Sequence, residues 1–131
     1  MSLATKRVLI VDDEANIRQV LKECFGQFAH GHTYEIETAA NGADGFMAVL
    51  RSRPDLLLLD MNMPVMGGLQ LLKQLRGIDV TVPVLMITAT HDTRAAAEAL
   101  TNGVFAYIPK PFDVCRLDHL VALAVTKPRG A

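Results

Sequence analysis

Polar side chains suited to phosphoryl chemistry follow four apolar runs of the chain, each at the point where the run stops. The four runs end at Asp12-Asp13, Asp60, Thr88 and Lys110. If the runs are parallel strands of one sheet, their carboxyl ends share one edge, which is where open α/β sheets bind ligands. Three carboxylates gathered there would repel one another unless a cation lay among them, and carboxylate oxygens suit a divalent metal. The lysine and the hydroxyl indicate an anion beside that metal.

The apolar patterning predicts five repeats of strand and helix that would position these residues. Leu56 to Leu59 is apolar on both faces, as in a central parallel strand covered by helices on each side. Pro109 lacks an N–H and therefore favours a strand at the edge of the sheet. Together the repeats predict a doubly wound α/β fold. Strands are predicted at 7–11, 34–39, 56–59, 82–88 and 107–109, with apolar helical faces at 17–28, 43–50, 69–75 and 92–102 and a fifth helix near the C-terminus.

Length and composition favour a single domain spanning residues 1–131. The chain has 131 residues, half of them apolar, which is enough for one core. We expect a folded core of about residues 5–125, with 1–3 left over from cloning and 126–131 forming a tail or the start of a linker. The 13 basic and 14 acidic residues form no basic block, so nucleic-acid binding by this chain alone is not expected. No apolar stretch predicts a membrane span or a signal peptide, which favours a cytoplasmic protein.

The cysteines and histidines give no separate site. Cys24 and Cys115 lack a C-x-x-C spacing, so we interpret both as reduced, small apolar residues. His30 and His32 form an H-x-H pair with no carboxylate or cysteine close in sequence, and a solvated loop is expected there rather than a metal site.

The motifs at the strand ends resemble those of a known family. They read V-D-D-E at 11–14, L-D-M-N-M-P-V-M-G-G at 59–68, I-T-A at 87–89 and K-P-F at 110–112. In this order and spacing they resemble the receiver domain of two-component response regulators, over almost the whole chain. The resemblance implies a flavodoxin-like five-stranded parallel sheet in the order 2-1-3-4-5 with five helices on both faces. The expected edge position of Pro109 agrees with that order.

The resemblance also implies the chemistry of the site. Asp60 would be the phosphoacceptor, taking a phosphoryl group from the phosphohistidine of a histidine kinase or a phosphotransfer protein. Mg²⁺ would be the cofactor, held by Asp13 directly, by Asp12 through a water, by the Asp60 carboxylate and by the backbone carbonyl of Asn62. Oxygen ligands together with retained waters suit this ion.

Further residues would bind the phosphoryl group and transmit its presence. By the same resemblance, Lys110, Thr88 and Ala89 would bind the phosphoryl oxygens, and Lys110–Pro111 would be a cis peptide. Thr88 and Tyr107 would form a switch that alters the face made by the fourth helix, the fifth strand and the fifth helix. Because the fourth helix is rich in alanine, this face is expected to pair with a second copy or an output domain. Asn62 and Thr90 would flank the attacking water and modulate the phosphoryl lifetime.

Three functional classes compete. The motifs favour a signalling switch that catalyses only its own phosphorylation and dephosphorylation, although Asp12-Asp13 taken alone could simply cap a helix. A degenerate receiver that acts only as a protein-binding module is the alternative. A small aspartyl-phosphate phosphatase is less favoured, because such enzymes place a second aspartate where this chain has Asn62.

Overall fold

Strands and helices alternate through the described part of the computed structural model, which covers residues 4–89 and 93–126. The strands are β1 (Thr5–Val11), β2 (Thr33–Ala39), β3 (Leu56–Leu59), β4 (Val84–Thr88) and β5 (Ala106–Pro109). The helices are α1 (Ala15–Gln27), α2 (Gly42–Arg51), α3 (Gly68–Gly77), α4 (Thr93–Thr101) and α5 (Val114–Thr126). None of the helices in these two ranges has the length and apolar character needed to cross a membrane.

All neighbouring strands pair in parallel, in the order β2-β1-β3-β4-β5. The strand that ends at Pro109 is therefore an edge strand. At this position the missing N–H of Pro109 does not break hydrogen bonding in the interior of the sheet. Both the doubly wound fold and the strand order predicted from the sequence are confirmed.

The core consists of two layers, one on each face of the sheet. Alternate strand residues face opposite sides, so Leu56 and Leu58 join one layer while Leu57 and Leu59 join the other. The first layer is closed by α1 and α5, for example through Phe25. The second layer is closed by α2, α3 and α4. This arrangement buries β3 completely and leaves its carboxyl end as the centre of one sheet edge.

Some predicted boundaries and helix faces were wrong. β4 begins at Val84 rather than at residue 82, since Pro83 accepts a hydrogen bond from Leu57 N but has no N–H to donate. Val20 and Leu50 are exposed although the helical pattern placed them inward. In α1, Leu21 and Phe25 define the buried face, and Val20 lies about 100° around the helix from Leu21.

The H-x-H pair lies in a loop between α1 and β2, as expected, but the expectation that its side chains are solvated was wrong. The His30 side chain is only 8% exposed and stacks on Phe28. Its Nε2 is hydrogen-bonded to Asp118 Oδ1 at 2.5 Å, and its Nδ1 is hydrogen-bonded to the Tyr34 hydroxyl at 2.6 Å. His32 packs edge-on against Tyr34. The partner carboxylate comes from α5, 88 residues away, and could not be recognised from the local sequence.

The two cysteines are free, as expected. Cys24 is partly buried and packs against the layer closed by α1 and α5. Cys115 is exposed.

Candidate functional site

The sheet ladder brings the residues that follow β1 and β3 side by side. Val11 and Leu59 are register partners, and Asp60 N donates to Val11 O at 3.0 Å just beyond them. Asp12 N donates to Ala39 O at 3.1 Å on the other side of β1. These backbone hydrogen bonds hold the main chain of Asp12 and Asp60 in place at the centre of the sheet edge, from which both side chains extend.

The residues that follow β4 and β5 are joined in the same way. Lys110 N donates to Thr88 O at 2.8 Å, immediately beyond the pairing of Thr88 with Pro109. The Lys110–Pro111 peptide bond is cis, the isomer that the family resemblance implies. The backbone hydrogen bond anchors the lysine beside Thr88, and its Nζ reaches Asp12 beyond β1 and Asp60 beyond β3.

Four carboxylates converge at this edge. Ligand oxygens of Asp12, Asp13, Glu14 and Asp60 all lie within 4.8 Å of one another. Asp12 and Asp60 are 2% and 4% exposed, whereas Asp13 and Glu14 face solvent. An all-oxygen set of this kind suits a hard divalent cation that keeps some of its waters. The residues present therefore fit a magnesium site.

The Lys110 ammonium lies within this carboxylate cluster. Its Nζ is 2.9 Å from Asp12 Oδ2, 3.3 Å from Asp60 Oδ2 and 3.3 Å from Glu14 Oε1. The lysine side chain is 10% exposed, so its ion pairs with Asp12 and Asp60 are shielded from bulk water, whereas the Glu14 side chain is 60% exposed. A single positive charge thus balances part of a strongly negative cluster.

Burial and ion pairing act on the pKa values in opposite directions. Burial raises the pKa of Asp12 above its usual 3.8, despite the hydrogen bonds from Lys110 and from Glu14 N. Burial alone would lower the pKa of Lys110, but hydrogen bonding and charge attraction with Asp12, and then Asp60, outweigh it and leave that pKa raised above 10.5. Lys110 is therefore cationic throughout the physiological range, and burying Asp12 in its ionised form costs folding free energy.

The Thr88 hydroxyl is fully buried and meets the side chain of Asn62. Asn62 Nδ2 donates to Thr88 Oγ1 at 3.3 Å, while Asn62 N donates to Asp60 Oδ1 at 3.2 Å. Asn62 therefore joins the end of β3 to the end of β4, a contact that the sequence did not indicate. Ala89 follows Thr88 and is exposed. Thr90 lies outside the described residues.

Tyr107 lies on β5 and pairs with Met86 of β4. Met86 precedes Thr88 by two residues on that strand. Tyr107 is partly buried against the layer closed by α2, α3 and α4. The predicted switch residues therefore occupy the two adjoining strands at one side of the cluster, close to α4.

The loop between β3 and α3 packs directly against the aspartate that ends β3. A Cβ on Gly68 would collide with the backbone oxygen of Asp60, and Gly68 N donates to Met61 O at 3.0 Å. Val65 in this loop has φ of 70°, which a β-branched residue rarely adopts. Gly67 caps α3 without a side-chain hydrogen bond. Glycine at 68 is thus a steric requirement for the position of Asp60.

Glu14 is the residue of this site that sequence reasoning missed. It directly follows the Asp12-Asp13 pair and stands at the N-cap of α1, but its side chain makes no capping hydrogen bond. The side chain instead reaches Lys110, 96 residues away in the chain. The acidic motif was the only available signal, because the contact depends on how β5 lies across the sheet.

Comparison with known families identifies the family to which this chain belongs. The family model for the response regulator receiver domain matches residues 8–122. This chain belongs to the response regulator receiver domain family. Receiver domains are signalling switches of two-component systems, which confirms the family and the general function predicted from the motifs.

Curated relatives extend over nearly the whole receiver domain. Regulatory protein AtoC of Escherichia coli strain K12 is 37% identical over 93% of this chain and 26% of AtoC. The DNA-binding transcriptional regulator NtrC of the same strain is 40% identical over 91% of this chain and 24% of NtrC. Sporulation initiation phosphotransferase F of Bacillus subtilis strain 168 is 36% identical over 86% of this chain and 87% of that protein. The chain thus spans about a quarter of the length of AtoC and NtrC.

Solved structures share the architecture. Chemotaxis protein CheY4 of Vibrio cholerae superposes with a TM-score of 0.80 at 31% identity, covering 92% of this chain and 99% of that one. The receiver domain of Francisella response regulator 1452 gives 0.83 at 27% identity, covering 92% and 97%.

Proposed function

We propose that Asp60 accepts a phosphoryl group from a phosphohistidine and forms an acyl phosphate. The observation that carries this proposal is the setting of the carboxylate: it is nearly buried, 3.3 Å from the Lys110 ammonium, and shares the cluster with three further carboxylates. A carboxylate oxygen of Asp60 attacks the phosphorus, the P–N bond to the donor imidazole breaks, and that imidazole leaves with the bonding electron pair. Such transfer depends mostly on positioning and charge neutralisation.

Mg²⁺ is the cofactor that the donor set supports. Asp12, Asp13, Asp60 and the backbone carbonyl of Asn62 would hold it, with Asp12 acting through a water. When bound, the ion neutralises charge that develops on the phosphoryl oxygens. Ionised Asp12 costs folding free energy without the ion, a cost that a metal-binding role explains.

The remaining side chains would bind and orient the phosphoryl group. Lys110 donates to a phosphoryl oxygen as the Asp60 carboxylate loses its negative charge on becoming an acyl phosphate. Thr88 turns its hydroxyl from Asn62 Nδ2 toward a second oxygen, and Ala89 contributes beside it. Asn62 and Thr90 would modulate the lifetime of the acyl phosphate, as the family resemblance implies.

Movement of Thr88 would be the start of the signal. When the hydroxyl turns toward the phosphoryl group, Tyr107 rotates inward into the space that it leaves. The face formed by α4, β5 and α5 then changes shape. Exposed apolar residues occur on both helices that border this face, Leu100 on α4 and Val114 and Leu123 on α5. The face would then bind a second copy or an output domain.

In this proposal the chain is one receiver domain over 1–131, with its folded core at about 5–125. A histidine kinase or a phosphotransfer protein supplies the phosphoryl group. The domain catalyses only its own phosphorylation and dephosphorylation in the cytoplasm, and it binds neither nucleic acid nor membrane by itself.

Intact-mass spectrometry after incubation with acetyl phosphate and Mg²⁺ tests the proposal. We expect one phosphoryl adduct, lost with EDTA and lost in Asp60→Asn. Asp55→Asn is the matched control, because Asp55 lies at the opposite end of β3, and it should retain the adduct. A folded wild-type protein that never takes the adduct would instead support a degenerate receiver that acts only by binding partners.

A further inference from the structure

Glu14 and Asp60 bind the same ammonium group. An ammonium has three N–H donors, and Lys110 has three carboxylate partners in Asp12, Glu14 and Asp60. All three donors therefore have an acceptor in the resting state. A phosphoryl group on Asp60 brings additional anionic oxygens to a lysine that is already fully engaged.

The three partners differ in how readily they can release the lysine. The Asp12 side chain is 3% exposed, makes the shortest contact at 2.9 Å, and also accepts from Glu14 N. The Glu14 side chain is 60% exposed, so water can replace the lysine as its partner. Of the three partners, Glu14 can therefore release the lysine most readily. Its carboxylate would also repel an anion that approaches the lysine from the solvent.

The backbone of Glu14 holds this carboxylate in reach of the lysine. Glu14 N donates to Asp12 Oδ1 at 2.9 Å, and Glu14 O accepts from Arg18 N at 3.1 Å at the start of α1. The side chain takes no part in capping the helix. Glu14 O thus accepts the first intrahelical hydrogen bond of α1, while the Glu14 side chain pairs with Lys110 instead of capping the helix.

We propose that Glu14 is a positioning residue that holds Lys110 in the resting state and competes with the phosphoryl group for it. Removing the Glu14 charge frees one donor and removes a like charge near the phosphoryl oxygens. The phosphorylated state of Asp60 should then gain stability relative to the resting state. This inference deepens the proposed function and rests on Asp60 being the phosphoacceptor.

Binding of fluoroberyllate, a phosphoryl mimic, measures this competition at equilibrium. Each variant is titrated with fluoroberyllate at a Mg²⁺ concentration that saturates that variant, and bound fluorine is followed by ¹⁹F NMR. We expect Glu14→Gln and Glu14→Ala to bind about three- to tenfold more tightly than wild type, the range for a partly exposed charge contact combined with a removed repulsion. Glu14→Asp retains the charge on a shorter side chain and should fall between wild type and Glu14→Gln.

The matched control is Glu23→Gln, which makes the same substitution at an exposed position of the same helix, where the carboxylate accepts only from Gln19 among the hydrogen bonds described. It should remain within about twofold of wild type. Unchanged or weaker binding by Glu14→Gln would overturn the inference. Tighter binding by Glu14→Ala alone would also overturn it, because side-chain bulk rather than charge would then be responsible.

The proposed function and this inference fail in different ways. If wild type binds no fluoroberyllate and takes no phosphoryl group from acetyl phosphate, the assignment of Asp60 fails and the role of Glu14 fails with it. If wild type does both and Glu14→Gln matches it, only the role of Glu14 is wrong.

Discussion

Replacing Lys110 by methionine tests the electrostatic balance of the site most severely. Methionine keeps an unbranched side chain of similar length but removes the ammonium from Asp12 and Asp60. At an effective dielectric constant of about 20, contacts of 2.9 Å and 3.3 Å correspond to attractions of about 5 to 6 kcal/mol each. Desolvation of the ammonium, which costs several kcal/mol, no longer opposes folding in the variant.

The net effect is a loss of about 3 kcal/mol of unfolding free energy in EDTA near pH 7, the low end of the range for removing one partner of a buried ion pair. Urea unfolding followed by circular dichroism measures this loss. Excess Mg²⁺ should restore most of it, because the ion replaces the missing positive charge and binds only the folded site. Lys22→Met, an exposed position on α1, is the control and should change little.

The contribution of Lys110 has a defined pH dependence. Its pKa is raised on folding, so its stabilisation is fully present below the unfolded value of 10.5 and is lost as pH rises through the higher folded value. Lys110→Met should therefore flatten the alkaline limb of the stability curve. A loss below about 0.5 kcal/mol in EDTA, the size typical of an exposed pair, would refute this electrostatic account.

Three further perturbations follow from the packing. Gly68→Ala should cost about 1 to 3 kcal/mol in urea unfolding and slow phosphorylation by acetyl phosphate, because the new Cβ displaces Asp60; an unchanged protein would contradict the steric argument. Burial, followed by the charges of Lys6 and His30, lowers the pKa of His32 below 6.5. The contribution of neutral His32 to folding stability is therefore present above pH 6.5 and is lost as the pH falls. His32→Leu should lose less stability than wild type between about pH 7 and 5, and equal losses would contradict this. Asp12→Asn should raise stability in EDTA by about 1 kcal/mol while weakening Mg²⁺ binding in calorimetry, whereas a destabilised variant would show that the ion pair with Lys110 outweighs burial.

The layering of the sheet and the edge position of β5 could be predicted because a few residues decide them, whereas the full strand order was implied by the family resemblance. The four leucines of β3 have no polar face, and only a strand covered on both sides accommodates them. Pro109 excludes an interior position for β5. The helix faces were less certain: in α1 and α2 an apolar residue lies next to the buried stripe, and only packing shows that Val20 and Leu50 fall outside it.

The site could be predicted in its main positions because parallel strands end at one edge. Asp12, Asp60 and Lys110 each follow a strand, and the ladder alone brings them together. Contacts that depend on side-chain reach were not predictable. Glu14 reads as an ordinary charge at a helix start, and the bond from His30 to Asp118 joins residues 88 positions apart.

The chemical identity of residue 60 after phosphorylation tests the central claim most directly. An acyl phosphate on aspartate is reduced by borohydride to homoserine, and peptide mass spectrometry then locates the converted residue. After treatment with acetyl phosphate and Mg²⁺, the account predicts homoserine at position 60 and at no other aspartate, and none when EDTA is present. Homoserine at Asp12 or Asp13 in place of Asp60, or a stable adduct that borohydride leaves unchanged, would contradict it.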